Sequence, residues 1–388
     1  MAKSSKQHSS RPQGRDKLCI GFVFDDSLDK NDGVQQYVLG LGAYYTSLGH
    51  EVHYLVGQTE RRDLPRVHSL SRNIKVSFNG NKMSMPLFAS KKRITQVFSD
   101  TTFDILHVQM PHSPFMAQRV INAAPRETRV IGTFHILPNS KLVTLANKYL
   151  KLLLRSSLKR IDQVVSVSPA AQEFLRENWG IESSVVPNHV KVSQYQNKQP
   201  HREYAHSCNI VFLGRLVDRK GCQLLLSAIK QMIRLELTQQ PFKVIICGKG
   251  PLLANLQSFV GLNGMEHLVS FVGFVNEEDK PSYLAAADIA VFPATGGESF
   301  GIVLLEAMAA SRGVVLGGDN PGYRSVLGSH EAQLFDPTNT HDFAQHLATY
   351  LSSPARREQA QQWQQEAVAT YDVSVIGTRL LNLYTQAE

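Results

Sequence analysis

Four cysteines (Cys19, Cys208, Cys222 and Cys247) are all that the 388-residue chain contains. They lie scattered among apolar residues with no Cys-x-x-Cys spacing. Neither a disulfide framework nor a metal site is expected, and the thiols read as reduced core residues of a cytosolic protein. No apolar run approaches the ~20 residues of a membrane-spanning helix. The first 17 residues are polar and basic without an apolar stretch. No secretory signal is expected there, and the segment reads as a disordered tail able to rest on an anionic surface. No Gly-x4-Gly-Lys-[Ser/Thr] pattern occurs, which excludes a P-loop. No Asp-x-Asp pair occurs either, so a metal has no obvious seat beside a diphosphate. Acid is the scarcer charge: 41 Lys+Arg stand against 33 Asp+Glu, a formal charge of +8. That rules out an acidic, disordered chain. It suggests an anionic partner: nucleic acid, an anionic membrane or a phosphorylated small molecule.

What the chain does have is apolar material, 43% of residues, enough for a core in each of two or three domains. Short apolar runs at Leu18–Phe24, Val52–Val56, Ile105–Val108, Val130–Phe134 and Gln163–Val167 read as buried strands. Helical stretches intervene, among them Val34–Leu48, stopped by Gly49, and Leu142–Arg160. Few apolar residues fall between Val190 and Ser207, which reads as a linker. The alternation then restarts with strands at Ile210–Leu213, Val244–Cys247, Val269–Phe271, Ile289–Phe292 and Val314–Leu316. Alternating strands and helices predict parallel sheets covered on both faces. The expected organisation is a basic tail (1–17), an N-terminal Rossmann-like domain (18–190) and a linker (191–207). A C-terminal Rossmann-like domain (208–370) follows, then a last amphipathic stretch (371–388). Two such units predict a ligand between them, at the carboxyl ends of the strands.

Two segments carry chemistry. Gly296-Gly297-Glu298-Ser299-Phe300-Gly301 follows a strand and opens the apolar helix that begins at Ile302. Glycines let the backbone approach a ligand, and the helix N-terminus suits a phosphate. Glu306, inside that helix, must find partners. Two readings stay equally open there. Glu298 and Glu306 meet polar groups of a sugar ligand, or Glu298 is solvated and Glu306 is a core carboxylate paired with a Lys or Arg. The second segment, Gly214-Arg215-Leu216-Val217-Asp218-Arg219-Lys220-Gly221, sets three cations between glycines after a strand. That suits a diphosphate, although a solvated basic turn is the commoner use of such a cluster.

Together these segments resemble the donor-binding motifs of retaining glycosyltransferases of the GT-B fold, glycosyltransferase family 4. Glu298 and Glu306 match that family's Glu-x7-Glu, and Gly214, Arg215, Lys220 and Gly221 match its Gly-Arg…Lys-Gly. Within the family, the string from Thr295 to Leu304 resembles the phosphatidylinositol mannosyltransferases. The resemblance implies an α/β, GT-B fold with two Rossmann-like domains facing across a cleft, 18–190 as the acceptor domain and 208–370 as the nucleotide-sugar donor domain, and a C-terminal helix (371–388) packing back on the N-terminal domain. It implies that Arg215 and Lys220 bind the donor diphosphate and Glu306 the ribose. Glu298, with the N–H groups of Phe300, Gly301 and Ile302, would hold the transferred sugar and phosphate. Val275 and Lys280 would lie near the base. Gly33-Val34-Gln35 matches the family's glycine loop, with Gly33 near the donor and Gln35 near the acceptor. His135 matches an active-site histidine, and Arg219 would meet a lipid phosphate. Four positions depart from the family: Asp32 where a glycine is usual, Ile136 and Leu137 in place of small polar residues, and His189 where glycine is usual.

The implied reaction moves a hexose from a nucleotide sugar to a lipid acceptor on the cytoplasmic face of a membrane, with no cofactor. GDP-mannose and phosphatidylinositol lead, and UDP-glucose with diacylglycerol or a soluble or polysaccharide acceptor is the alternative. Charge building on the leaving diphosphate would meet Arg215, Lys220 and the helix N-terminus. With no clear nucleophile at the sugar face, front-side attack is expected, the leaving phosphate taking the acceptor's proton. Domain closure would exclude water. The basic stretches at Lys91-Lys92-Arg93 and Leu142–Arg160 suit an anionic leaflet, or are ordinary solvated helix faces. A nucleotide-sugar-binding module without turnover is the non-enzyme alternative. Nucleic acid ranks last, for want of any recognisable motif.

Overall fold

The computed structural model describes residues 17–29, 32–78, 81–86, 89–135, 150–151 and 153–386, with backbone alone for 75–78 and 81–85. The N-terminal tail up to residue 16, Ile136, Leu137 and much of the predicted Leu142–Arg160 helix lie outside those residues.

The N-terminal sheet is built from β1 (Cys19–Phe24), β2 (Glu51–Val56) and β3 (Val67–Ser69), with β6 (Ile105–Gln109), β7 (Arg129–Phe134), β8 (Gln163–Ser166) and β9 (Ser184–Val185). Its order is β3-β2-β1-β6-β7-β8-β9, all parallel. Burial on both faces explains why its central strands read as continuous apolar runs. A separate antiparallel hairpin joins β4 (Asn73–Phe78) to β5 (Asn81–Pro86). The C-terminal sheet holds β10 (Asn209–Leu213), β11 (Lys243–Cys247), β12 (Val269–Gly273), β13 (Ile289–Phe292), β14 (Val314–Gly318) and β15 (Leu334–Phe335). Its order is β12-β11-β10-β13-β14-β15. Both sheets are of the doubly wound type that the alternation predicts. The hairpin and the shortest strands carry too few apolar residues to announce themselves in the sequence.

The segment after Val190 is folded, not extended. A short helix covers Val192–Tyr195, and Val190, Val192, Tyr195 and Tyr204 bury themselves in the C-terminal core. The chain crosses between the domains a second time near Asp372, and the two crossings bond to each other. Val190 N–H donates to Tyr371 O (3.0 Å) and Val373 N–H to Val190 O (2.9 Å). The Asp372 carboxylate accepts from Val192 N (3.0 Å) and Ser374 N (2.9 Å).

The terminal helix Val373–Thr385 packs back on the N-terminal domain. Its Ile376, Leu380 and Tyr384 join that domain's core. Tyr45 Oη donates to Gly377 O (3.1 Å), and Tyr384 Oη bonds His107 Nδ1 (2.6 Å). The partner face belongs to α1 (Gly33–Ser47), which buries Tyr37, Val38, Leu41 and Tyr45. Tyr37 is the hub of this core, touching the rings of His107, His135 and His189.

Burial pushes these three histidines down, His107 and His135 to about 3 and His189 to about 4. The unfolded chain, with ordinary values near 6.5, takes up protons below that pH which the folded domain refuses. Stability is therefore full above pH 6.5 and is lost as pH falls toward 4, by about 1.4 kcal/mol per pH unit for each histidine. Asp25, raised by burial to about 6, acts in the opposite sense, its contribution lost as pH rises through 6. His112, buried against Trp179 and pushed down to about 4, acts with the three, so it is one group against four. In a thermal melt from pH 7 to 5, the transition seen by Trp179 should move down further than that seen by Trp363. Equal movement of both would show that the Tyr37 cluster does not control acid stability.

Candidate active site

The carboxyl ends of the two sheets face each other across a cleft of about 810 Å³. Its floor on the C-terminal side is made by two loops. The first carries Arg215 from β10 into a 3-10 turn, Asp218–Lys220. The second leads from β13 through Glu298 into the helix Ile302–Ala310. The loops are zipped together, Thr295 N–H donating to Arg219 O (3.0 Å). Gly221, at φ 72°, lets them meet, because a Cβ there would lie 2.0 Å from Pro293 O. Lys220 Nζ consequently lies 2.9 Å from Glu298 Oε1, and Arg219 bonds the same oxygen. Burial, with Arg219 and Arg215 nearby, pulls Lys220 below the ordinary lysine value against the opposing pull of Glu298. Arg215 has no carboxylate partner among the described residues and is open to a ligand.

Glu306 meets the second of the two readings left open above and still lines the cleft. It is 4% exposed. Its Oε1 accepts from Lys280 Nζ (2.7 Å) and from Tyr195 Oη (2.9 Å). Burial works against the charge on Lys280, but Glu306 and Glu277 outweigh it and hold the ammonium above its ordinary value. A helix that is apolar on every side tolerates this carboxylate because partners arrive from two other elements.

The N-terminal wall approaches closely. A Cβ on Gly33 would lie 3.1 Å from Ile302 Cδ1, so a larger residue there would have to shift that side chain. Asp32, where the family has glycine, caps α1. Its carboxylate accepts from Val34 N (3.1 Å) and Gln35 N (3.2 Å), and Gln35 Oε1 accepts from Asp32 N. His135, at the end of β7, bonds Gln109 Oε1 through Nε2 (2.8 Å) and lines the cleft. With its pKa near 3 it stays neutral, so it can hold a hydroxyl but cannot serve as an imidazolium acid.

Of the residues named from sequence, His135, Gly33, Arg215, Arg219, Lys220 and Lys280 all line this cleft. So do Glu298, Phe300, Gly301, Ile302 and Glu306. Phe300 does so with its ring turned into the core, 5.9 Å from that of Tyr371. Two residues do not reach the cleft. Gln35 is fully buried, completing the α1 capping box and bonding Ser27 O, and its neighbour Gln36 lines the cleft instead. Val275 packs half-buried against the C-terminal core.

The sequence reading missed Asp25, Gln109, Tyr195 and Asn188 as members of the site. Asp25 caps the N-terminus of the helix Met116–Ala123 through Ala117 N (2.6 Å). Asn188 is 3% exposed and lines the cleft, and its Oδ1 has no hydrogen-bond partner among the described residues. Only its position beside a departing family residue, His189, hinted at it. Breaking the Lys280–Glu306 pair on one side should be costly. Lys280→Met is expected to lower the unfolding free energy of the C-terminal domain by about 3–5 kcal/mol. Lys280→Met combined with Glu306→Leu should recover most of that in urea unfolding while leaving donor affinity lost.

Comparison with known proteins accords with this geometry. Residues 31–194 match the family described as glycosyltransferase family 4, and residues 187–368 that described as glycosyl transferases group 1. A phosphatidyl-myo-inositol mannosyltransferase of Mycolicibacterium smegmatis is 30% identical over 370 residues, covering 94% of this chain and 93% of that one. One from Propionibacterium freudenreichii is 29% identical over 388 residues, with 95% of each chain covered. Among solved structures, a glycosyltransferase from Rickettsia africae superposes with a TM-score of 0.74 at 18% identity, covering 95% of this chain and 98% of that one. Sucrose-phosphate synthase from Thermosynechococcus elongatus gives a TM-score of 0.71 at 18% identity, with the same coverage. Family matches on both halves, near-full-length relatives and a shared two-sheet architecture meet in one cleft: the chain belongs to the family 4 glycosyltransferases of the GT-B fold, and a nucleotide sugar is its donor.

Proposed function

We propose that this glycosyltransferase moves mannose from GDP-mannose, with retention of configuration, to phosphatidylinositol or a related inositol lipid at a membrane surface. Its relatives, named as phosphatidyl-myo-inositol mannosyltransferases and 30% identical over 94% of the chain, support mannose as the transferred sugar and phosphatidylinositol as the acceptor. The observation that carries the mechanism is that cleft carboxylates are already engaged. Glu298 is held by Lys220 and Arg219, and Glu306 by Lys280 and Tyr195. Asp25 is tied to Ser113 and Ala117, Asp26 accepts from Ser27 N–H, and Asp32 is tied to the first turn of α1. All five cleft carboxylates are already engaged, which favours front-side attack over a carboxylate nucleophile. As the glycosidic bond breaks, negative charge builds on the diphosphate. Arg215 is free to meet it, and Lys220 and the N–H groups opening the helix Ile302–Ala310 lie in the same cleft. The acceptor hydroxyl approaches from that same face and gives its proton to the departing phosphate oxygen. His135 and Asn188 offer neutral hydrogen-bonding groups toward the sugar.

Membrane contact would be electrostatic. No helix among the described residues is long and apolar enough to cross a bilayer. In α2 (Lys91–Asp100) the apolar Ile94 and Val97 are already buried in the protein, and Lys91, Lys92 and Arg93 remain exposed. Such a face is attracted to an anionic leaflet by roughly 1 kcal/mol per cation near the surface.

The test is transfer. The protein is incubated with GDP-mannose, UDP-glucose or UDP-N-acetylglucosamine and vesicles containing phosphatidylinositol, and the lipids are weighed by mass spectrometry. One hexose on phosphatidylinositol, from GDP-mannose alone, is the expected result. Lys220→Ala should lower that rate roughly 100–1,000-fold. Slow donor hydrolysis without a glycosylated lipid would remove the lipid acceptor and keep the transferase. Neither transfer nor hydrolysis would favour a binding module.

A further inference from the structure

The opposite end of the N-terminal sheet holds a cluster that glycosyl transfer does not use. Cys19 opens β1, and Glu51 is its register partner at the start of β2. His53 lies two residues along β2, so all three side chains leave the same face of the sheet. The Cys19 sulfur, a Glu51 carboxylate oxygen and a His53 ring nitrogen lie within 4.8 Å of one another. Glu51 Oε1 is 2.9 Å from His53 Nε2. The other ring nitrogen, Nδ1, is 2.9 Å from Nε2 of His68 on β3. His68 stacks on His53 at 5.2 Å, and Phe103 packs edge-on against the same ring at 5.2 Å. The ring is locked in place. Cys19 and Glu51 also open onto a hollow of about 530 Å³, which supplies an entry path and room for water.

We propose that Cys19, Glu51 and His53 form a site for a thiophilic divalent cation of the zinc type, with water as the fourth ligand. The donor set is one thiolate, one imidazole and one carboxylate, each a normal zinc ligand. Around a tetrahedral zinc such atoms stand about 3.3–3.8 Å apart, so small side-chain rotations close the site. His68 plays the outer-shell part: it can accept the Nδ1 proton of His53 and leave Nε2 with a lone pair for the metal. Without a cation, a proton holds Glu51 to His53 in the position the metal would take. Burial, with Glu51 and Asp104 nearby, pushes the Cys19 thiol up to about 12. It is protonated in the metal-free protein, and binding sends that proton to solvent. Arg66 Nε stands 3.4 Å from Glu51 but is half-exposed, and can swing into water when a cation arrives. Sequence spacing hid the cluster because its members come from different strands.

The experiment is a cobalt titration of the reduced, metal-stripped full chain. One equivalent of Co²⁺ should raise a near-ultraviolet thiolate-to-cobalt band that Zn²⁺ then abolishes. Cys19→Ser should remove the band. His68→Phe, which leaves all three ligands, should weaken Zn²⁺ binding roughly 10–100-fold. Glu51→Gln, a surface change that spares the fold, should weaken it as well, so the proposal stays testable if Cys19→Ser fails to fold. Turnover should be unchanged in Glu51→Gln, because the cluster lies at the strand ends remote from the cleft. Absence of the band in folded protein, or its persistence in Cys19→Ser, would overturn the site.

Discussion

The cleft exists because the two chain crossings between the domains are tied to each other. Val190 exchanges backbone hydrogen bonds with the segment around Asp372, and the Asp372 carboxylate clasps both sides. Partial burial would raise that carboxylate, but bonds from Ser374 and Val192 hold it below the usual range. It therefore stays ionised, and an ionised acceptor makes the stronger bonds. From this pin the terminal helix runs back onto α1, and the segment 191–207 runs into the C-terminal core. Each domain thus carries an element of the other's stretch of chain. That arrangement sets the carboxyl ends of both sheets face to face and gives any change of angle between them one fulcrum.

Within the cleft, position follows from close backbone approach as much as from charge. Gly221 lets the Arg219 loop meet the Thr295 loop, which brings Lys220 to Glu298. Gly33 lets α1 meet Ile302. The buried Lys280–Glu306 pair fixes the rear of the helix Ile302–Ala310. Such a pair adds little net stability over apolar packing, but it commits two charges to one geometry. The site is held by mutual constraint among loops that would otherwise be the loosest parts of the molecule.

Much of this was legible in the residues. Alternating apolar runs gave two parallel sheets, and the glycine-flanked charged segments placed Arg215, Lys220, Glu298 and Glu306 together. What stayed hidden depended on partners distant in sequence. The role of His189, in place of a usual glycine, becomes visible only in three dimensions. It stacks on Tyr37 and bonds Tyr37 O, in space left by Gly40. Gln35 and Gln36 are indistinguishable by type, and only the capping geometry of Asp32 turns the first inward and leaves the second at the cleft. Tyr195 lies in a stretch that reads as linker, yet its hydroxyl reaches Glu306. Its contribution rests on a contact 111 positions away, which no local pattern announces.

The formal charge of +8 does not reside where an anionic nucleotide sugar binds. Asp25, Asp26, Asp32, Glu298 and Glu306 line the cleft against Arg215, Arg219, Lys220 and Lys280. The basin is close to electrical balance, and its positive groups act through short contacts. Inside the cleft charge therefore acts at short range, and any long-range pull on an anion comes from the exterior and is screened by salt. The excess of cations lies outside the cleft. Two electrostatic environments thus coexist in one molecule: a cleft whose opposite charges largely cancel and an exterior that is net positive.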